Sequence, residues 1–335
     1  MVDIAEVGRE FLLKRGLAVE QIDTAFGLFQ SFVRQAKTFY QSAAHLHFRA
    51  SPLNYYYAFL NLAKALISIA DPDSVNQRIS HGLHHLHVDG PLRDQSIVTR
   101  QGVFPRFYHV LTGQVIPDNT RLGVISLLSY STDIAYEFVS AGFGIQPILP
   151  AIFRIQRGNE GSHATLAIRD FGAAEARPDF TDEFFRHFEE VEFNKDLARA
   201  QFELYAEQKR SYRFFETRTQ YPDDNNIIPN LRIAGDCRAA LRRFYQSNPY
   251  SEEYCDFLLC LPLENTTLPF NEMLATYASM YYLGSLIRYF PRYLEQILAS
   301  KDAWLIERFV KGSPITFLRH VSNMILGEDR IYSTR

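Results

Sequence analysis

Ser51-Pro52-Leu53-Asn54-Tyr55-Tyr56-Tyr57-Ala58-Phe59-Leu60-Asn61-Leu62-Ala63-Lys64-Ala65-Leu66 is the stretch that sets the helical reading of this chain. Ser51 at a cap, with Pro52 in the first turn, marks a helix start. Apolar side chains then recur at Leu53, Tyr56, Leu60, Ala63 and Ile67, a spacing of three and four that gathers them on one face. Asp71-Pro72-Asp73 ends the pattern. Upstream, Val19, Ile22, Phe26, Phe29, Val33, Ala36 and Tyr40 repeat the same spacing and predict an amphipathic helix. Two such helices joined by about ten residues pack as an antiparallel pair.

Further along, Gly123 to Val139 reads as a third helix, and then the period changes. Ile148 to Gln156 and His163 to Ile168 alternate as strands around a hairpin loop at Arg157-Gly158-Asn159-Glu160-Gly161-Ser162. Thr181 to Gln208 returns to helix, and Tyr212 to Thr217 and Asp256 to Pro262 read as strands. The end is helical at Asn271–Tyr289, Arg292–Ala299, Ala303–Val310 and Ile315–Leu326, with a break at Gly312-Ser313-Pro314. The order predicts an α+β fold, mainly helical, interrupted by a small antiparallel sheet. Its regions are 1–145 (helical), 146–265 (mixed β/α) and 266–335, helices that pack back on the first region to make one compact unit.

The 335 residues carry 35 basic and 38 acidic side chains, a net charge of −3, which excludes a bulk nucleic-acid coat. Met273 to Ile287 is free of charge but too short and polar to span a bilayer. The start of the chain has no basic segment followed by an apolar run, and Cys237, Cys255 and Cys260 form no Cys-x-x-Cys pair. A cytoplasmic protein without a membrane anchor or structural zinc is expected.

Two clusters carry candidate chemistry. The first is Arg78-Ile79-Ser80-His81-Gly82-Leu83-His84-His85-Leu86-His87, read as a polar loop after the Pro52 helix. Its histidines suit a transition metal, but Gly82 weakens a helical ligand face and no cysteine completes a site, so neither metal nor cofactor is expected. The same residues fit an Arg-x(4–6)-His pattern, with arginine stabilising a phosphorane and histidine moving a proton. About 2.5 such pairs are expected from composition and three occur, so spacing alone does not select one. Arg78, His81 and His84 are the catalytic candidates, and Asn54 and Lys64 on the preceding helix are candidate substrate contacts.

The second cluster is Gln208 to Tyr245, with eight basic residues, Arg238 and Arg242 among them, against four acidic ones and interleaved with aromatics. Such a strip suits single-stranded RNA, through phosphate pairing and base stacking, and Arg238 and Arg242 are the candidate contacts. The segment before it, Asp182 to Gln208, holds eight acidic residues against three basic, so internal charge pairing is the favoured alternative.

The chain resembles the YaaC-like family of bacterial proteins. The resemblance rests on the 51–66 stretch, His81-Gly82-Leu83, Gly102-Val103-Phe104, Ile287-Arg288-Tyr289-Phe290-Pro291-Arg292-Tyr293 and Ala303-Trp304-Leu305-Ile306-Glu307. It covers residues 33 to 326 and by itself implies no activity. The 51–66 stretch is also similar to the second helix of HEPN domains, where Tyr-Tyr-Ala and Lys-Ala-Leu precede a loop with His-Gly. That similarity implies a helical homodimer that cleaves RNA without a metal in a toxin–antitoxin or antiviral defence system, beside a partner protein from a neighbouring gene. In cleaving HEPN members the Arg…His pair usually lies on a later helix than Arg78 and His84 do. The alternative is a non-catalytic scaffold in which His81 only joins helices.

Overall fold

The computed structural model describes residues 4–14, 16–75, 79–86, 88–144, 146–158, 161–169, 182–192, 212–219, 245–247, 257–263 and 266–326. They divide between two compact units. The first takes Met1–Gln146 and Glu272–Arg330; the second takes Pro147–Asn271 and the final residues.

The first unit begins with α1 (Ile4–Lys14), α2 (Val19–Ala44) and α3 (Ser51–Ser68), and α2 and α3 pack along their lengths. Strands β1 (His81–Leu86), β2 (Ser96–Gly102) and β3 (Arg121–Gly123) form a three-stranded antiparallel sheet, with α4 (Val103–Thr112) following β2 directly. The histidine cluster is therefore a strand and not a loop. The physical reason is that the strand does not alternate: a register shift between His81 and Leu83 leaves Gly82 and Leu83 both buried, so the period-2 signal is lost. The helix expected over 123–139 is broken into α5 (Val124–Leu128), a 3-10 turn and α6 (Ala135–Ser140).

In the second unit β4 (Ile148–Gly158) and β5 (Gly161–Arg169) form a hairpin. Helix α7 (Asp182–His187) leads into β6 (Phe188–Val191), and β7 (Tyr212–Thr217), β8 (Tyr245–Ser247) and β9 (Phe257–Cys260) complete an antiparallel sheet of order β6-β7-β5-β4-β9-β8. The long helix expected from Thr181 thus ends at His187. Phe188 is buried, and the exposed Glu189 and Glu190 pair with arginines on and just after β7. Arg213 grips Glu190 with two hydrogen bonds (2.8 and 2.7 Å), and Arg218 reaches Glu189 at 3.2 Å.

The chain re-enters the first unit with α8 (Glu272–Tyr289), α9 (Pro291–Leu298) and α10 (Ala303–Leu326). The charge-free run lies within α8, which is buried without a break from Glu272 to Leu286, so it is a core helix. Among the described residues no helix is long and apolar enough to cross a membrane. Helix α10 continues through Pro314, where two helices were expected; the missing N–H removes one bond without ending the helix. The fold is α+β and mainly helical.

Glu272 anchors the start of α8. Its carboxylate accepts hydrogen bonds from the Thr132 backbone N–H (2.6 Å) and hydroxyl (2.7 Å), and lies 2.8 Å from His320 Nε2 on α10. Burial acts to raise its pKa, but the His320 bond and charge and the Thr132 bonds outweigh burial and hold the carboxyl below its ordinary value. A depressed carboxyl contributes stability above its unfolded pKa, about 4.3, and loses it as the pH falls toward the folded value. Glu272→Ala should therefore cost about 3–5 kcal/mol at pH 7, measured by urea unfolding. The gap from the parent should narrow below about pH 4.3; a gap independent of pH contradicts the clamp.

Candidate functional site

The site grows from the junction of α3, β1 and α8. Tyr56 on α3 is fully buried, and its ring meets Tyr277 and Tyr281 of α8 edge-on at 5.7 and 5.3 Å. Its hydroxyl ends 2.7 Å from His81 Nδ1 on β1. The Tyr281 hydroxyl donates to the Leu83 carbonyl at 2.9 Å, so α8 holds β1 through both backbone and side chain.

A register shift in β1 lies between His81 and Leu83, next to the half-buried imidazole. Two glycines make that shift feasible. Gly82 has φ +79°, and a Cβ there would lie 2.7 Å from the Pro105 ring; a Cβ on Gly102 would lie 2.4 Å from the Gly82 nitrogen. Larger residues at either position would push the strands apart.

Half-burial lowers the His81 pKa from its ordinary value of 6.5, and the charges of Arg288 and Lys64 lower it further. Lys64 is two turns beyond Tyr57 on α3, with Nζ 5.6 Å from the Phe32 ring of α2, and burial lowers its pKa also. Arg288 stands at the last turn of α8. Its Nη1 donates to the Tyr57 hydroxyl at 3.1 Å, and its guanidinium lies 5.9 Å from the Tyr57 ring and 4.9 Å from the Tyr289 ring. The Arg288 Nε is buried with no hydrogen-bond partner. Neither Lys64 nor Arg288 pairs with a carboxylate among the described residues, in contrast to Arg9, Arg49, Arg213 and Arg218. Partly desolvated cations without a counter-ion are costly, and an incoming anion offsets that cost.

The sequence candidates fall out unevenly. His81 and Lys64 come together. His84 is exposed on β1 opposite Val98, and His85 turns inward with Nδ1 2.7 Å from the Ser285 hydroxyl. Asn54 donates to the Ser42 hydroxyl at 3.2 Å and stands about 15 Å before Lys64 along the helix axis. Arg78, Arg238 and Arg242 lie outside the described residues. Among the described residues no three His, Cys, Asp or Glu side chains gather as metal ligands. Arg288 and the tyrosines around it were not singled out as site residues. The available signal was Arg288 itself, the first charge after fifteen uncharged residues.

The site thus consists of a half-buried imidazole beside two cations that have no carboxylate partner among the described residues, on a mainly helical scaffold. The family model described as YaaC-like Protein matches residues 23–325, and the chain belongs to that family. No curated protein and no solved structure matches it.

The electrostatics are open to direct measurement. In an NMR titration the His81 ring should titrate below 6.5. Lys64→Met and Arg288→Met should each move the midpoint upward, and a midpoint at or above 6.5 in the parent protein contradicts the assignment.

Proposed function

We propose that this YaaC-like protein binds RNA and cleaves it without a metal, at the site formed by Lys64, His81 and Arg288. The observation that carries the reading is the half-buried His81 imidazole, bonded to Tyr56, beside two cations that have no carboxylate partner among the described residues. A neutral imidazole is a proton acceptor near pH 7, and the two cations suit a phosphodiester while repelling a divalent metal.

The chemistry follows from those groups. In the tautomer whose Nδ1–H donates to the Tyr56 oxygen, Nε2 carries the lone pair. It takes the proton of a ribose 2′-hydroxyl, whose oxygen attacks the adjacent phosphorus. Lys64 and Arg288 stabilise the added negative charge on the phosphorane. The P–O5′ bond then breaks, the leaving oxygen takes a proton from solvent, and the products are a 2′,3′-cyclic phosphate and a 5′-hydroxyl. In this reading Arg78 and His84 are further catalytic candidates, and Arg238 and Arg242 further RNA contacts, on the strength of the sequence alone. The HEPN similarity supports a homodimer in a defence or toxin–antitoxin system with a neighbouring-gene partner.

The scaffold reading is favoured by one observation, that His81 is bonded to Tyr56 within the helix–strand junction. Labelled RNA incubated with EDTA separates the two readings. Cleavage should persist, its rate rising with pH to a plateau above the His81 midpoint. His81→Ala should lower the rate by about 10²–10⁴-fold and Lys64→Ala or Arg288→Ala by about 10²–10³-fold. Equal cleavage by parent and variants removes this site, and no cleavage of any RNA leaves the scaffold.

A further inference from the structure

Arg288 sits among aromatic side chains. The Phe39 ring lies against Tyr57 at 5.2 Å and 28°, the Arg288 guanidinium lies 5.9 Å from the Tyr57 ring, and the Tyr289 ring lies 4.9 Å from that guanidinium. Arg288 thus joins the hydroxyl edge of Tyr57 to the ring of Tyr289. Tyr289 is 65% exposed, whereas the nearby Tyr56, Tyr277 and Tyr282 are fully buried. The contact that ties Tyr289 to the site is the 4.9 Å approach of the Arg288 guanidinium to its ring.

A lone exposed tyrosine calls for no explanation. One that lies against a cation with an unpartnered buried nitrogen presents a π-face next to an anion position. Resting on the reading that Lys64 and Arg288 hold RNA phosphate, we propose that Tyr289 is the stacking platform for an unpaired base, which makes single-stranded RNA the ligand class. A duplex keeps its bases stacked on one another and offers no free face to Tyr289. A free phosphate engages the cations alone. Stacking of one base on an aromatic side chain corresponds to about a 5-fold to 150-fold gain in affinity.

The test uses fluorescence anisotropy with two labelled oligomers of equal length, an oligoadenylate and its abasic sugar-phosphate counterpart. Both carry 2′-O-methyl groups so that neither is cleaved. The parent protein should bind the oligoadenylate at least about fivefold more tightly than the abasic chain. Tyr289→Ala should bring oligoadenylate binding down to the abasic level and leave abasic binding unchanged, and Tyr289→Phe should keep the preference. An unchanged thermal midpoint in Tyr289→Ala shows that the fold is intact, as exposure of the side chain implies. Equal binding of both oligomers by the parent, or an unaltered preference in Tyr289→Ala, overturns the stacking platform while leaving the phosphate site standing. Failure of the parent to bind either oligomer overturns the phosphate site and the platform with it.

Discussion

Tyr56 is where the packing of the helical unit and the chemistry of its site meet. The ring is wholly buried against Tyr277 and Tyr281, so its position is fixed by α3 and α8 together. A buried phenol needs a hydrogen-bond partner, and His81 provides one. The same bond sets the orientation of the imidazole. Everything else in the site is arranged around that contact: the β1 register shift next to His81, the Tyr281 bond that pins the strand, and the two cations beside it. At the far end of α8, Glu272 bonded to Thr132 and His320 restrains the helix that bears Tyr281 and Arg288.

The charge distribution gives the site its character. The protein is nearly neutral, and in the second unit Arg213 on β7 and Arg218 just after it are matched by Glu190 and Glu189 on β6. Lys64 and Arg288 are different. They lie beside aromatic rings and have no acidic partner among the described residues. A basic strip in sequence is therefore a poor guide to a free anion site, because strand pairing can neutralise it. Two cations from distant parts of the chain, buried enough to be desolvated and left unmatched, are a better one.

How much of this was legible in the sequence follows from how local each signal is. Helix α3 was readable because Ser51-Pro52 and the apolar spacing act within a few residues. The β4–β5 hairpin was readable for the same reason. Strand β1 was not: three of its six residues are histidine, and the two buried positions, Gly82 and Leu83, are adjacent where alternation requires a gap. His81 and Lys64 were found as residue types, but their partnership with Arg288 spans more than 200 positions and depends on α8 packing against α3. The Glu272–His320 pair is non-local as well, its members 48 positions apart. Continuation of α10 through Pro314 overrode a local helix-breaking signal, because tertiary burial of both halves outweighs one missing hydrogen bond.

The central claim is that RNA engages the Tyr56–His81 junction and its two cations. The most direct measurement is an NMR titration of the full chain with an uncleavable single-stranded RNA, following the histidine ring and arginine side-chain signals. The account predicts saturable shifts at His81 and at the Arg288 Nε–H, with His163 and His320 unmoved. Saturable shifts confined to His163 or other second-unit signals, with His81 and Arg288 unchanged, would contradict it.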